Sequence, residues 1–160
     1  MLSLKQCGRL LFACVLGAAL AVPALAQEVK TDTFSIDLPA DWKQPQPVQN
    51  MNGSTMAIFQ NTKDGSAVTI TVVANPMAAK DVAAQTIAGM KAGGINASDP
   101  VEKDGVYETT YAQGPGKGVS YFASNGKVFA VTTILGPTIN TGKELLKNLK
   151  PADPALFPKF

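Results

Sequence analysis

The stretch VSYFASNGKVFAVTTIL, from Val119 to Leu135, decides the fold of this 160-residue chain. Two runs of aromatic and β-branched residues flank the dipeptide Asn125-Gly126, which is the strongest short sequence signal for a β-hairpin. A two-residue loop fixes the register of the two strands. The sequence therefore predicts that Phe122 lies opposite Phe129.

The second strand of this hairpin carries apolar or threonine side chains on both of its faces. Val128, Ala130 and Ile134 alternate along the chain with Phe129 and Val131. An antiparallel strand with one face in water would show polar residues at every second position. We therefore expect this strand to be central in its sheet and to be covered on both sides.

A second hairpin is predicted around Asp64-Gly65, which separates the strand-forming segments Ser54–Gln60 and Ala67–Ala74. Turn residues between alternating apolar runs are typical of such hairpins. A two-residue loop would place Phe59 beside Ile70, and a longer loop is the alternative.

Two helices are predicted, one after each group of strands. Asn75 is a suitable cap and Pro76 suits a first turn, so the first helix is expected to run from there to Lys91. Its apolar residues recur at helical spacing on one face: Ala79, Val82, Ala83, Ile87 and Met90. Thr141 and Glu144 match a capping box before the second helix, whose apolar residues are Leu145, Leu146 and Leu149.

The resulting fold class is α+β, in the order βββ-α-ββββ-α, with one mostly antiparallel sheet covered by helices. Asp104-Gly105 supplies a further turn within the second group of strands, before the strand Val106–Tyr111. The opening FSIDLPADW, Phe34–Trp42, resembles the strand-Pro-x-x-Trp start of the PsbP-like fold, which small bacterial envelope proteins of the DcrB type also show. This resemblance implies an α/β/α sandwich and a non-enzymatic accessory or binding role, and it provides no catalytic residues to transfer.

The first residues have the organisation of a secretory signal peptide. Lys5 and Arg9 precede the apolar stretch Leu10–Val22, which is too short to span a bilayer comfortably. The following PALA ends in a small-x-small site, so we expect cleavage after Ala26. The sequence thus predicts a signal peptide at 1–26, a single globular domain at 27–160, a periplasmic location and no membrane span after cleavage.

Cleavage would change the composition of the chain. It removes both cysteines, Cys7 and Cys14, and Arg9, which is the only arginine. The remaining chain has 12 lysines and 12 acidic residues, so the slightly basic charge of the whole sequence gives no reason to expect a nucleic-acid partner. Lipidation of Cys14 is the alternative to simple cleavage, and we favour cleavage because Phe12 fits a lipoprotein motif poorly.

The expected mature chain lacks the residue types that most catalytic and metal sites use. The sequence contains no histidine, and its cysteines lie within the predicted signal peptide. Most nucleophile–base pairs and transition-metal sites need one of these residues. We therefore predict no enzymatic activity, no catalytic or metal-binding residue and no cofactor.

Four residues are candidates for ligand or partner contacts. Trp42 is either an exposed recognition residue or a lid on the core. Tyr107 and Tyr111 share one face of a strand, where they could stack on a ligand ring or pack under a helix. Lys117 lies in the glycine-rich segment Gly114–Gly118, which we interpret as a mobile loop that could contact a partner.

Three functions compete on these observations. The leading hypothesis is an exported, non-catalytic accessory or binding protein of the bacterial periplasm or envelope, acting through a protein partner. The alternative is a small-ligand-binding protein with a pocket beside the sheet. A hydrolase that uses only carboxylates ranks last, because no motif or register places a carboxylate pair.

Overall fold

The computed structural model describes residues 27–160. The predicted signal peptide and its two cysteines lie outside the described residues. The helices are α1 (Ala79–Ala92) and α2 (Ile139–Leu146), followed by a 3-10 turn at Pro154–Leu156. The strands are β1 (Gln27–Lys30), β2 (Phe34–Leu38), β3 (Trp42–Lys43), β4 (Gln49–Met51), β5 (Ser54–Asn61), β6 (Ala67–Val73), β7 (Val101–Lys103), β8 (Val106–Gln113), β9 (Gly116–Ser124), β10 (Phe129–Gly136) and β11 (Leu149–Pro151).

These strands form two antiparallel sheets. The large sheet has eight strands in the order β3-β5-β6-β10-β9-β8-β7, with β4 also paired to β5. The small sheet has the order β1-β2-β11. Helix α1 packs on β8 and β9, whereas α2 packs on β10 and β9. The prediction of an α+β fold with a mostly antiparallel sheet covered by helices is confirmed.

Strand β10 lies between β6 and β9, as expected for a central strand. Ala130 and Ile134 belong to the main core, which also contains Phe34 of β2 and Leu145 of α2. Val131, on the alternate face, packs on the smaller cluster beneath α1. The two helices therefore lie on opposite faces of the large sheet, and the small sheet shares a face with α2.

The register predicted for the central hairpin is wrong by two residues. Phe122 lies opposite Val131, and Phe129 lies opposite Ser124. The loop is longer because the Asn125 side-chain oxygen accepts hydrogen bonds from the backbone N–H groups of Lys127 and Val128, at 3.0 and 2.9 Å. A shift of two residues leaves every side chain on its predicted face.

The β5–β6 hairpin also has the longer loop that was the alternative. Phe59 pairs with Val68 rather than Ile70. The Asn61 side-chain oxygen accepts the backbone N–H of Lys63 at 2.8 Å and that of Asp64 at 3.2 Å. An asparagine that binds the backbone in this way makes a turn of its own and lengthens the connection.

Helix α1 begins three residues later than predicted. Ala78 is the N-cap, and its side chain makes no capping hydrogen bond. The preceding carbonyl, that of Met77, accepts a 2.7 Å hydrogen bond from the Ser124 hydroxyl of β9. The buried face of the helix matches the prediction at four of its five positions: Ala79, Val82, Ala83 and Ile87 are buried.

The capping box predicted for α2 is absent, because the helix begins before it. Thr138 is the N-cap, and Thr141 lies inside the helix. The Thr141 hydroxyl donates instead to the Asp64 carboxylate at 2.9 Å. Leu149 does not continue the helix and lies in β11, where it pairs with Ile36 of β2.

Within residues 27–160, six strands precede α1 instead of three. The sequence interpretation missed β1, β3 and β4 as separate strands. Strands β4 and β5 are joined by Asn52-Gly53, with φ of 49° and 75°. Positive φ at both central residues is the signature of a type I′ hairpin turn, so this dipeptide was an available signal.

Candidate functional site

Trp42 lies in the main hydrophobic core. Its side chain is only 8% exposed, and its strand β3 pairs with the end of β5. Of the two interpretations that the sequence left open for Trp42, the buried position fits a lid on the core.

Tyr107 and Tyr111 lie on the same face of β8 but have different surroundings. Tyr107 packs on the cluster formed by Phe122 and the α1 residue Val82. Burial and the neighbouring Glu102 carboxylate raise the pKa of the Tyr107 phenol. Tyr111 covers Gly118 of β9 instead. The two rings therefore have separate packing partners.

Lys117 is an exposed strand residue rather than a loop residue. It belongs to β9 and pairs with Ala112 of β8. Only Gly114-Pro115 forms the connection between these strands, so the predicted mobile loop is much shorter than expected. Lys117 and Tyr111 line a shallow cavity of about 390 Å³ at the end of the sheet.

A second cavity, of about 310 Å³, lies between the large sheet and the C-terminal residues 154–160. We call it the tail cavity. Strand β8 provides Val106 and Glu108, and β9 provides Tyr121. The other walls come from α2, from the end of β7 and the β7–β8 turn, and from the C-terminal residues: Lys103, Asp104, Lys143, Pro154, Ala155, Phe157, Pro158, Lys159 and Phe160.

Tyr121 is the most unusual side chain of the tail cavity. The residue is 4% exposed, and its buried hydroxyl has no hydrogen-bond partner among the described residues. Burial, and secondly the negative charge of Glu108, raise the pKa of the phenol well above its usual value. The hydroxyl therefore stays protonated at neutral pH and can donate a hydrogen bond.

Aromatic groups from the C-terminal residues complete the lining of the tail cavity around Tyr121. The Phe160 ring meets the Tyr121 ring edge to face, with 5.4 Å between the ring centroids. The Lys143 ammonium nitrogen lies 5.9 Å from the centroid of Phe160. Phe157 is buried beside Phe34 of β2, which attaches the C-terminal residues to the core. The cavity thus combines aromatic surface, a neutral phenol and charged side chains.

The sequence interpretation missed Tyr121 as a site residue. It recognised the strand but treated its aromatic residues as packing groups. A signal was available, because a tyrosine on a buried strand face usually needs a partner for its hydroxyl. Glu108 and Lys143 carried no such signal, since their approach to Tyr121 depends on the packing of three separate elements.

Two kinds of feature are absent from residues 27–160. No group of three or more His, Cys, Asp or Glu side chains there could hold a metal ion. Neither helix in this part of the chain is long and apolar enough to cross a bilayer.

Comparisons with known proteins give no family. No protein-family model and no curated protein sequence matches this chain. A crystal structure of a Bacteroides thetaiotaomicron protein is similar over 76% of this chain and 46% of its own, with 13% sequence identity and a TM-score of 0.39. The chain therefore spans less than half the length of that protein, and the likeness carries no argument about function. The resemblance to PsbP-like and DcrB-type proteins stays a prediction.

Proposed function

We propose that this chain is an exported, non-catalytic binding protein of the bacterial periplasm that holds a small ligand in the tail cavity. The observation that carries the proposal is the buried Tyr121 hydroxyl without a hydrogen-bond partner. A buried polar group left unpaired costs about 1–3 kcal/mol, so such groups call for a partner. The hydroxyl has almost no accessible surface, so a ligand atom in the adjoining cavity would supply the partner once the partly exposed Phe160 ring, which packs on Tyr121, shifts aside.

The other parts of the proposal come from the sequence. The signal-peptide pattern at 1–26 supports export. The absence of histidine from the chain supports a role without acid–base catalysis. The cavity lies beside the sheet, as the ligand-binding hypothesis requires, although Tyr121 replaces Tyr107 and Tyr111 as its central residue.

A thermal-shift screen of small polar and aromatic compounds tests the proposal on wild type and on Tyr121→Phe. A compound present at 100 times its Kd should stabilise the wild-type protein by about 2.7 kcal/mol. The variant should fold at least as stably without ligand, because it loses only an unpaired hydroxyl. It should nevertheless lose most of the ligand-induced shift.

Tyr107→Phe is the matched control, since its hydroxyl lies outside the tail cavity and its partner is the exposed Glu102. It should respond to the ligand like wild type. A screen without hits, or hits that stabilise Tyr121→Phe equally, would refute the proposal. An accessory role through a protein partner would then be the better function, and a pull-down from envelope extract at several salt concentrations would test it.

A further inference from the structure

The charged side chains that line the tail cavity have no ionic partners within residues 27–160. Elsewhere, four ion pairs join lysines to carboxylates, for example Lys150 and Asp37 at 2.7 Å. None of the five charged cavity residues takes part in such a pair. The five are Lys103, Asp104, Glu108, Lys143 and Lys159.

Two of these five residues, Glu108 and Lys143, are half-buried, whereas the other three are exposed. An exposed charge is satisfied by water and needs no further explanation. A partly buried charge loses part of its hydration, so a nearby charge of opposite sign stabilises it more than it would at the surface. Glu108 and Lys143 have opposite signs, yet they do not approach within ion-pair distance of each other.

Their positions in the fold separate the two charges. Glu108 lies directly opposite Tyr121 in the β8–β9 pairing, so both side chains share one face of the sheet. Lys143 belongs to α2, which packs over β9 and β10. Glu108 and Lys143 thus reach the cavity from two separate elements, β8 and α2.

We infer that the ligand of the tail cavity is a zwitterion of the size of one amino acid. Its ammonium group faces Glu108, its carboxylate faces Lys143, and its apolar part lies against Phe157 and Phe160. The protonated Tyr121 hydroxyl donates a hydrogen bond to the same ligand. This inference rests on the proposed function, because it specifies the chemical class of the ligand in that cavity.

The volume and the lining agree with this class. A cavity of about 310 Å³ lies at the lower end of the range of about 300–1,000 Å³ that is typical of small-ligand pockets. A single amino acid, phenylalanine included, fits within such a volume. A hydrogen bond to a charged group contributes enough that its loss should weaken binding about 10- to 100-fold.

The test uses isothermal titration calorimetry with the twenty amino acids, each added singly to the full mature protein. Two analogues of phenylalanine carry one charge each: 3-phenylpropionate keeps the carboxylate, and 2-phenylethylamine keeps the ammonium group. At least one amino acid should bind, and phenylalanine should bind at least tenfold more tightly than either analogue.

Substitutions of the two charged residues test which of them binds each charged group of the ligand. Glu108→Gln should weaken binding of phenylalanine and 2-phenylethylamine about 10- to 100-fold and leave 3-phenylpropionate unchanged. Lys143→Met should show the reverse pattern for the two analogues. Glu102→Gln and Lys117→Met are matched controls outside the cavity, and they should bind all three compounds like wild type. Melting temperatures of all four variants confirm that they fold.

The outcomes separate this inference from the proposed function. Suppose that no amino acid binds, while a neutral or singly charged compound from the screen binds in a way that depends on Tyr121. The cavity then remains a binding site, and the zwitterion is wrong. Equal binding of phenylalanine and its analogues, or unchanged affinities in Glu108→Gln and Lys143→Met, would also overturn the inference. If no compound of any class binds, both proposals fail.

Discussion

Tyr111 of β8 covers Gly118 of β9 so closely that a Cβ atom at position 118 would lie 2.2 Å from the ring. The two residues are directly opposite each other in the β8–β9 pairing. Burial raises the pKa of the Tyr111 phenol, which agrees with a ring packed down on the sheet. The glycine is therefore required by the approach of a neighbouring ring, and no positive φ is involved.

Gly118→Ala should destabilise the protein by about 1–3 kcal/mol, because the added methyl group forces the Tyr111 ring out of its packed position. Gly89→Ala is the matched control, since no atom lies within 4 Å of the added Cβ and the residue is on the exposed side of α1. It should stabilise the protein by up to about 1 kcal/mol. Urea melts measure both effects, and equal stability of the two variants would contradict the close approach.

Phe122→Ala should cost about 3–5 kcal/mol of unfolding free energy, because Phe122 is fully buried beneath α1 and its truncation leaves a cavity. Phe129→Ala should cost less, since Phe129 is half-buried at the end of β10 and faces Ser124. Urea denaturation of the two variants measures both losses of unfolding free energy and shows which is larger. A larger loss for Phe129→Ala would favour the two-residue turn that the sequence predicted.

Asp64 should contribute a pH-dependent part of the stability. Hydrogen bonds from the Ser66 backbone, foremost, and from the Thr141 hydroxyl lower the pKa of its carboxyl below 3.8. A lowered folded-state pKa means that the contribution is present above the unfolded-state pKa and is lost as the pH falls through the folded-state value.

The stability difference between wild type and Asp64→Asn should therefore be constant above about pH 5 and should shrink below about pH 4. Urea melts at half-unit steps of pH measure it. Asp32→Asn is the control, because Asp32 is exposed and makes no side-chain hydrogen bond within residues 27–160. A constant difference for Asp64→Asn down to pH 3 would show that the hydrogen bonds do not favour the charged carboxyl.

The exported protein should begin at Gln27 and should fractionate with soluble periplasmic material. Intact-mass spectrometry of the processed protein reads the N-terminus directly. Its melting temperature should not change with a reductant, because both cysteines precede that residue. A mass that corresponds to a lipid-modified start at Cys14 would make the protein a membrane-anchored lipoprotein instead.

Local patterns in the sequence determined the type and faces of most major elements. Alternation of apolar residues identified β2, β5, β6, β9 and β10, and helical spacing identified the buried face of α1. Asp104-Gly105 forms the two-residue turn that its sequence predicts, with φ of 52° and 79°. These features depend on residues close together in the chain, so a single sequence contains the necessary information.

Tertiary structure decided the details that depend on distant contacts. Asn125-Gly126 is as strong a turn signal as Asp104-Gly105, yet its loop is two residues longer. Asn125 also donates a 2.8 Å hydrogen bond to Asp153, which lies 28 residues further along the chain. Ser124 is likewise bound to Met77, which is 47 residues away. Neither hydrogen bond can be predicted from the turn propensity of the dipeptide alone.

The candidate site illustrates the same limit. The tail cavity requires β8, β9, α2 and the C-terminal residues to meet, and β11 helps to place the last of these by pairing with β2. No spacing in the sequence brings Glu108, Tyr121 and Lys143 together. The sequence determined the main strands and the two helices, because their patterns lie within short segments. Long-range packing determined the minor strands and which polar groups face one cavity, because packing depends on contacts between segments that are far apart in the chain.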